Sequence, residues 1–201
     1  MKKLIALGIL CAAAVLPVFA QGLYLDVGGS IGKGWTKSGG EDCVEALEDA
    51  GYNTSEMAIE MGFKAGYGPF GRVPLYLVGE LAVMAHRIWD DDYYIQFNSY
   101  LIGPGVIFYP LPLVQLGVSL GYSLVANVTD YPGLKALNSK EGYAWNAFAA
   151  IDLGKKNHGC LIGIKYFYAE NTLKVTRAVE KSSMVGIFVK YTYRKKAPPL
   201  F

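Results

Sequence analysis

Residues Glu56–Tyr67 alternate without a break, and this stretch limits the fold more than any other. One parity reads Met57, Ile59, Met61, Phe63, Ala65, Tyr67; the other reads Glu56, Ala58, Glu60, Gly62, Lys64, Gly66. A period of two belongs to a strand with one apolar and one polar face. A polar face washed by bulk water usually carries Thr, Lys, Ser or Gln. Here opposite charges are mixed with Gly and Ala, which suits a narrow interior where small residues make room and charges pair. The apolar face then looks outward, into lipid.

The chain opens on a targeting segment. Lys2 and Lys3 form a basic start, Leu4–Leu16 is continuously apolar, and Pro17 precedes small residues at Val18 and Ala20. This is the pattern of a cleaved signal peptide, with the cut expected between Ala20 and Gln21. The apolar run is shorter than the ~20 residues a spanning helix needs. Bulky Leu10 before Cys11 argues against a lipoprotein signal. Domain organisation is therefore a signal peptide, 1–20, and one barrel domain, 21–201.

Lys+Arg is 19 and Asp+Glu 17; losing Lys2 and Lys3 leaves 17 against 17. A balanced chain offers nucleic acid no basic face. More than half of the residues are hydrophobic, yet no later run is long enough for a spanning helix. Such a chain forms either a large soluble core or a transmembrane barrel that hides its apolarity in alternation.

Eight stretches alternate: 22–35, 56–67, 74–89, 93–109, 113–126, 143–153, 160–170 and 183–194. Each meets the ~9–11 residues a tilted membrane strand requires. The connections run long, short, medium, short, long, short, long. That rhythm matches a barrel with short periplasmic turns, longer outward loops and both termini inside. Aromatics on the apolar parity gather at the strand ends. Trp35, Trp89, Tyr93, Tyr143, Trp145 and Tyr168 lie toward the long loops, and Tyr67, Tyr109, Tyr191 and Tyr193 toward the short turns. Two interfacial girdles follow from this arrangement.

With its signal peptide, alternation and loop rhythm, the chain resembles the small bacterial outer-membrane β-barrels of the eight-stranded OmpA/OmpX/OmpW-like kind. The resemblance implies an all-β, eight-stranded antiparallel up-and-down transmembrane barrel. It also implies outer-membrane lipid and the barrel insertion machinery as partners. Members usually end in an aromatic that serves as the insertion signal. Val189, Tyr191 and Tyr193 alternate properly here, but Lys195–Leu200 separate them from Phe201. Gly103-Pro104-Gly105 inside the fourth strand implies a bulge, a kink or a break.

In the first outward loop, Ser38-x-x-Glu41 forms a capping-box pattern and Gly51 suits a C′ position. Val44, Leu47 and Ala50 share a face, so a short helix is expected near Gly39–Ala50. Within the fifth strand Leu120 is expected outward near mid-membrane. Gly121 is expected inward and tolerant of Ser.

Asp26, Glu60, Lys64, Glu80, Asp152, Lys165, Lys190 and Arg194 all fall on the small-residue parity. They form either a polar path or a set of paired charges plugging the lumen, and an eight-stranded barrel is only wide enough for its own side chains. Pairing is favoured over a pore, with Asp26 expected to meet Lys190 or Arg194.

Cys43 and Cys160 lie at opposite ends of a spanning barrel, which excludes a disulfide between them. His86 and His158 have no metal-site spacing, and His86 lacks a matched Ser and acid in sequence for a hydrolytic triad. Asp90-Asp91-Asp92 supplies too few oxygens for calcium. The chain is therefore read as a non-enzyme, with no cofactor or metal.

Two functions remain. The first is passage of a small apolar molecule, as the OmpW-like resemblance implies, with Ile102, Val106 and Phe148 expected to line the lumen. The second is a structural or surface-interaction role, as OmpX- and OmpA-like barrels imply, with an extracellular partner bound through the loops. A soluble periplasmic lipocalin-like binder would need the same alternation inside out, with Gly and paired charges facing water.

Overall fold

A computed structural model describes residues 20–70, 72–131, 136–154 and 157–195, with backbone alone for Ala20, Gln21 and Lys140. The expected signal peptide, except for Ala20, and the terminal Phe201 lie outside the described residues. The elements are β1 (Ala20–Ser38), β2 (Glu41–Asp42), α1 (Cys43–Asp49), β3 (Ser55–Phe70), β4 (Leu75–Trp89) and β5 (Tyr94–Leu111). They continue as β6 (Val114–Val125), β7 (Val128–Thr129), β8 (Ser139–Asp152), β9 (His158–Leu173) and β10 (Val179–Arg194).

The eight long strands pair antiparallel with their chain neighbours, and β10 returns to β1 from Tyr24↔Arg194 to Ser38↔Glu180. The sheet therefore closes into an eight-stranded up-and-down barrel, leaving no long edge unpaired. The two-residue strands β2 and β7 pair with β1 and β5. Both termini of the barrel and the short connections share one end, the turn end. The loop end carries β2, α1 and β7.

The pleat carries the sequence alternation outward and inward as the sequence predicts. Met61 is 65% exposed and Ile187 62%, while Glu60 and Lys64 are buried. That arrangement is the reverse of a soluble lipocalin-like barrel. Among the described residues no helix is long and apolar enough to cross a membrane; the strands carry the apolar belt.

Several local expectations change. α1 starts at Cys43, because Gly39 (φ +64°) and Gly40 (φ +98°) form a turn that folds Glu41–Asp42 back onto Lys37–Ser38. Asp42, rather than Ser38, caps the helix, accepting from the Val44 N–H at 3.0 Å. Gly51 (φ +93°) closes it as expected, donating to the Glu48 carbonyl at 2.9 Å. The expected Asn171–Lys181 connection shrinks to five residues, since β9 and β10 zip together to Val179↔Thr172.

β5 runs unbroken through Pro104. Its pairing with β6 lapses at Gly103 and Pro104 and resumes at Gly105↔Ser119. The wall stays shut there, because Gly103 and Gly121 let the strands touch. A Cβ on Gly121 would lie 2.6 Å from Gly103 Cα, so Gly121 does not have room for Ser. Leu120 faces outward, but it pairs with Trp145 of the aromatic belt. A position nearer the middle is Ile187, four residues from both Ser183, which pairs with Trp35, and Tyr191, and flanked by Ile31 and Ile164.

The parity expected for β5 is reversed. Ile102 is exposed and Val106 half-buried on the outer face, whereas Leu101, Ile107 and Tyr109 are buried inside. Tyr109 is thus a lumen residue and not part of the turn-end girdle. Phe148 points inward as expected.

Candidate functional site

The lumen is filled in layers. Toward the turn end, Tyr24, Tyr76, Ile107, Phe148, Leu161 and Phe188 belong to one apolar cluster. Toward the loop end, Ala58, Met84, Leu101, Phe167 and Met184 belong to another. Apart from Leu101 and Ile107 of β5, which carries no charge, each comes from the same parity as the inward charges, so sequence alternation builds most of the plug directly.

The charges lie along this packed column. Lys64 Nζ donates to Glu80 Oε1 at 2.9 Å, and Lys165 Nζ bridges Glu60 Oε1 at 2.7 Å and Glu80 Oε1 at 3.3 Å. Ser30 adds a donor to Glu60 at 3.0 Å. Lys190 faces Asp26 at 3.7 Å, an ion pair too long for a hydrogen bond. Lys64 and Lys190 also stand over the Phe148 and Phe188 rings, at 4.9 and 5.5 Å. Three carboxylates therefore face three ammonium groups.

A second group sits at the turn end. Arg194 grips Asp152 Oδ2 through Nε at 2.9 Å and Nη2 at 2.6 Å, with its guanidinium 3.9 Å from the Tyr109 ring centre. Asp26 therefore takes Lys190 while Arg194 takes Asp152. Tyr109 donates to Asp152 at 3.1 Å, and Gln115 donates to both Tyr109 and Tyr24 at 2.6 and 2.8 Å. Tyr24 in turn donates to Asp26 at 2.9 Å, joining the two groups. All eight inward charges are at most 5% exposed. Burial on that scale is tolerable only because the charges pair. Tyr24, Tyr109 and Gln115 were not anticipated as members; Tyr24 and Gln115 share the inward parity, which is the signal that finds them.

Near the loop end, His86 is fully buried, 2.9 Å from Thr36 Oγ1 through Nδ1 and 2.9 Å from Glu56 Oε2 through Nε2. Thr36 lies 3.3 Å from Ser182 Oγ. This is an acid–histidine–hydroxyl chain that sequence spacing hides, but Thr36 is itself fully buried and meets no substrate. Glu56 stands where β1 and β3 stop pairing beyond Gly32↔Ala58, and it also reaches outward Lys33 at 3.3 Å. The chain of contacts braces the seam between those strands.

Above it lies a cavity of about 390 Å³, roofed by α1 and walled by β5, β10 and the β6–β8 connection. Glu180 borders it, 1% exposed. It lies opposite Ser38, past the Trp35↔Ser183 level and past outward Lys37 and Lys181, so it stands above the apolar belt. Burial pushes the Glu180 carboxyl up to about 7, with Asn127 Nδ2 donating to it at 2.7 Å. Burial, and then Glu180, push the neighbouring Cys43 thiol up to about 12. Cys43 and Cys160 are both free thiols, at opposite ends of the barrel.

On the outer face Trp145 stacks near Tyr166 and Tyr168, with ring centres 5.1 and 6.2 Å away, and Tyr143 lies 6.1 Å from Tyr168. Trp35 and Trp89 lie toward the same end; Tyr93, on the parity opposite to outward Tyr94, turns away from this girdle and packs on buried Tyr131 at 5.6 Å. At the turn end Tyr191 and Tyr193 flank exposed His158, and Tyr67 lies on β3. Among the described residues no cluster of three or more His, Cys, Asp or Glu is placed to hold a metal ion.

Comparison with protein-family models and with curated proteins returns no match. Solved structures do match. Ail, the attachment invasion locus protein of Yersinia pestis, superposes with a TM-score of 0.51 at 14% identity, covering 84% of this chain and 97% of Ail. The fold is that of the small outer-membrane barrels. Ail in complex with the heparin analogue sucrose octasulfate gives 0.50 at 13% identity, covering 84% of this chain and 98% of Ail. Neisserial surface protein A gives 0.48 at 15%, covering 87% and 98%. OprG of Pseudomonas aeruginosa gives 0.41 at 11%, covering 87% and 97%.

Proposed function

We propose that the chain is an outer-membrane barrel that acts at its outward loop end, as a surface-interaction protein, with its lumen closed by its own side chains. The observation that carries this reading is the burial of all eight inward charges between two apolar clusters. An aqueous pore needs polar groups in contact with water along its length, and these groups contact one another instead. The outer surface supports lipid as the barrel's surroundings, since aliphatic residues fill the belt between aromatic ends. Export through the signal peptide and delivery by the insertion machinery belong to the same reading.

At the loop end, Glu41, Asp42, Glu45, Glu48, Asp49 and Asp90–Asp92 outnumber the nearby lysines and arginines. That surface favours a cationic partner over a sulfated polysaccharide. The loop-end cavity keeps passage of a small apolar molecule as a second reading, because it offers a vestibule; the layers beneath would have to part for the molecule to continue.

Planar-bilayer recording separates the two from a porin. The unmodified barrel is expected to show no steady conductance. Large, sustained single-channel currents would overturn the closed-lumen reading.

A further inference from the structure

The loop-end cavity pairs a buried acid with aromatic walls. Glu180 makes no ion pair with any described lysine or arginine; Asn127 is the group that hydrogen-bonds it, through Oε2. Among the described residues its Oε1 has no hydrogen-bond partner, and neither has Asn127 Oδ1. Two buried acceptors in one wall ask for a donor, since an unmet buried polar group costs about 1–3 kcal/mol. Ser38, Cys43 and Thr129 add small polar groups, but most of the remaining wall is apolar or aromatic, with Leu47 from α1, Phe97 from β5, and Tyr52 and Tyr131, packed edge to face at 5.0 Å. Aromatic faces attract an organic cation as well as an apolar body. A volume near 390 Å³ is within the range of small-molecule sites.

We propose that this cavity binds a small organic ammonium compound, its nitrogen at Glu180 and Asn127 and its apolar body among Leu47, Phe97, Tyr52 and Tyr131. The acidic loop end around it concentrates cations at its mouth. Water would satisfy the acceptors but leave the aromatic walls unused, and a neutral apolar molecule would leave the acceptors unmet. Above pH 7 the carboxyl is ionised with no cation among the described residues to balance it, so the ammonium supplies the missing charge.

This deepens the surface-interaction reading, and the two fail separately: a conducting barrel says nothing about the cavity, and absent binding leaves the closed lumen intact. Tryptamine and its neutral isostere tryptophol are the probes, titrated calorimetrically at pH 8 into the mature barrel folded in zwitterionic micelles, with empty micelles subtracted. Tryptamine is expected to bind saturably, one to one, and at least tenfold more tightly than tryptophol. Glu180→Gln should reduce tryptamine to the tryptophol level. Equal affinity for the two probes, no saturable binding, or a preference that survives Glu180→Gln overturns the inference. Should that variant fail to fold, Ala46→Trp, on the exposed helix where it borders the cavity, should abolish binding of both probes by filling it. Undiminished binding to the filled cavity also overturns it.

Discussion

Glu180 shows how one side chain carries a pH signature. Its carboxyl is held at about 7 against an ordinary 4.5, because burial disfavours the charged form more than one Asn127 hydrogen bond supports it. The groups facing it are Asn127 from the β6–β8 connection and Cys43 from α1, with Asp42 and Glu41 beside Cys43. The folded state therefore keeps a proton that the unfolded chain releases between pH 4.5 and 7. Stability should fall as pH rises through that window and level off above it, by a few kcal/mol in all. Glu180→Gln removes the titrating group, so the difference in melting temperature between the two proteins should open in the variant's favour from pH 5 to pH 8. A constant difference across that range would show that Glu180 is not strained by its burial. Ligand binding at the cavity should narrow the gap, since a cation beside the carboxylate offsets the same cost.

Strands decide what the rest of the sequence could reveal. Where one parity is apolar and the other small or charged, as in β1, β3, β6 and β10, face and register follow from the pattern alone. β5 defeats the pattern because both of its faces are apolar: Ile102 and Phe108 face outward while Leu101 and Ile107 fill the plug. With no contrast to read, Tyr109 lands on the wrong face, and its bond to Asp152 is lost from view. Glu180 is missed for a different reason. Extending the inward parity of Arg194, Thr192, Lys190 and Phe188 backward through Ser182 reaches it, but its polar neighbours read as loop. The inward faces of the eight charges and of Tyr24 and Gln115 are legible from parity; what parity does not show is that Tyr24, Gln115 and Tyr109 join the charges into one network, since such residues are equally at home at an interface. The belt gives the test at this scale. Ile187→Arg, facing lipid between the two aromatic levels, should cost about 2–4 kcal/mol of folding into bilayers. Ser99→Ala, buried inside with a hydroxyl that has no partner among the described residues, should cost far less. Gly121→Ser should be costly in spite of its inward face, because the obstacle is the β5 backbone. Comparable tolerance at Ile187 and Ser99 in lipid refolding would reverse the inside and outside of the barrel.

The whole molecule depends on charge balance in a lumen packed with its own side chains. Asp26, Glu60 and Glu80 face Lys64, Lys165 and Lys190, and Glu80 holds two of the three cations. Glu80→Leu leaves two carboxylates against three buried ammonium groups, an imbalance expected to cost about 3–5 kcal/mol. Lys64→Met alone leaves the opposite excess and should cost a similar amount. The double variant Lys64→Met/Glu80→Leu restores equality, with Lys165 still on Glu60 and Lys190 still facing Asp26. Its cost should be well below the sum of the two singles, because an apolar pair of similar volume avoids the desolvation that the ion pair only just offsets. Refolding of the four proteins into vesicles closes the thermodynamic cycle. Planar-bilayer recording of the same proteins then ties balance to closure: the wild type and the double variant should both stay silent, while Glu80→Leu should flicker as its stranded lysines seek water. A double variant that is as damaged as the singles combined, or that conducts steadily while folded, would mean that the charges keep a path open and do not plug the barrel.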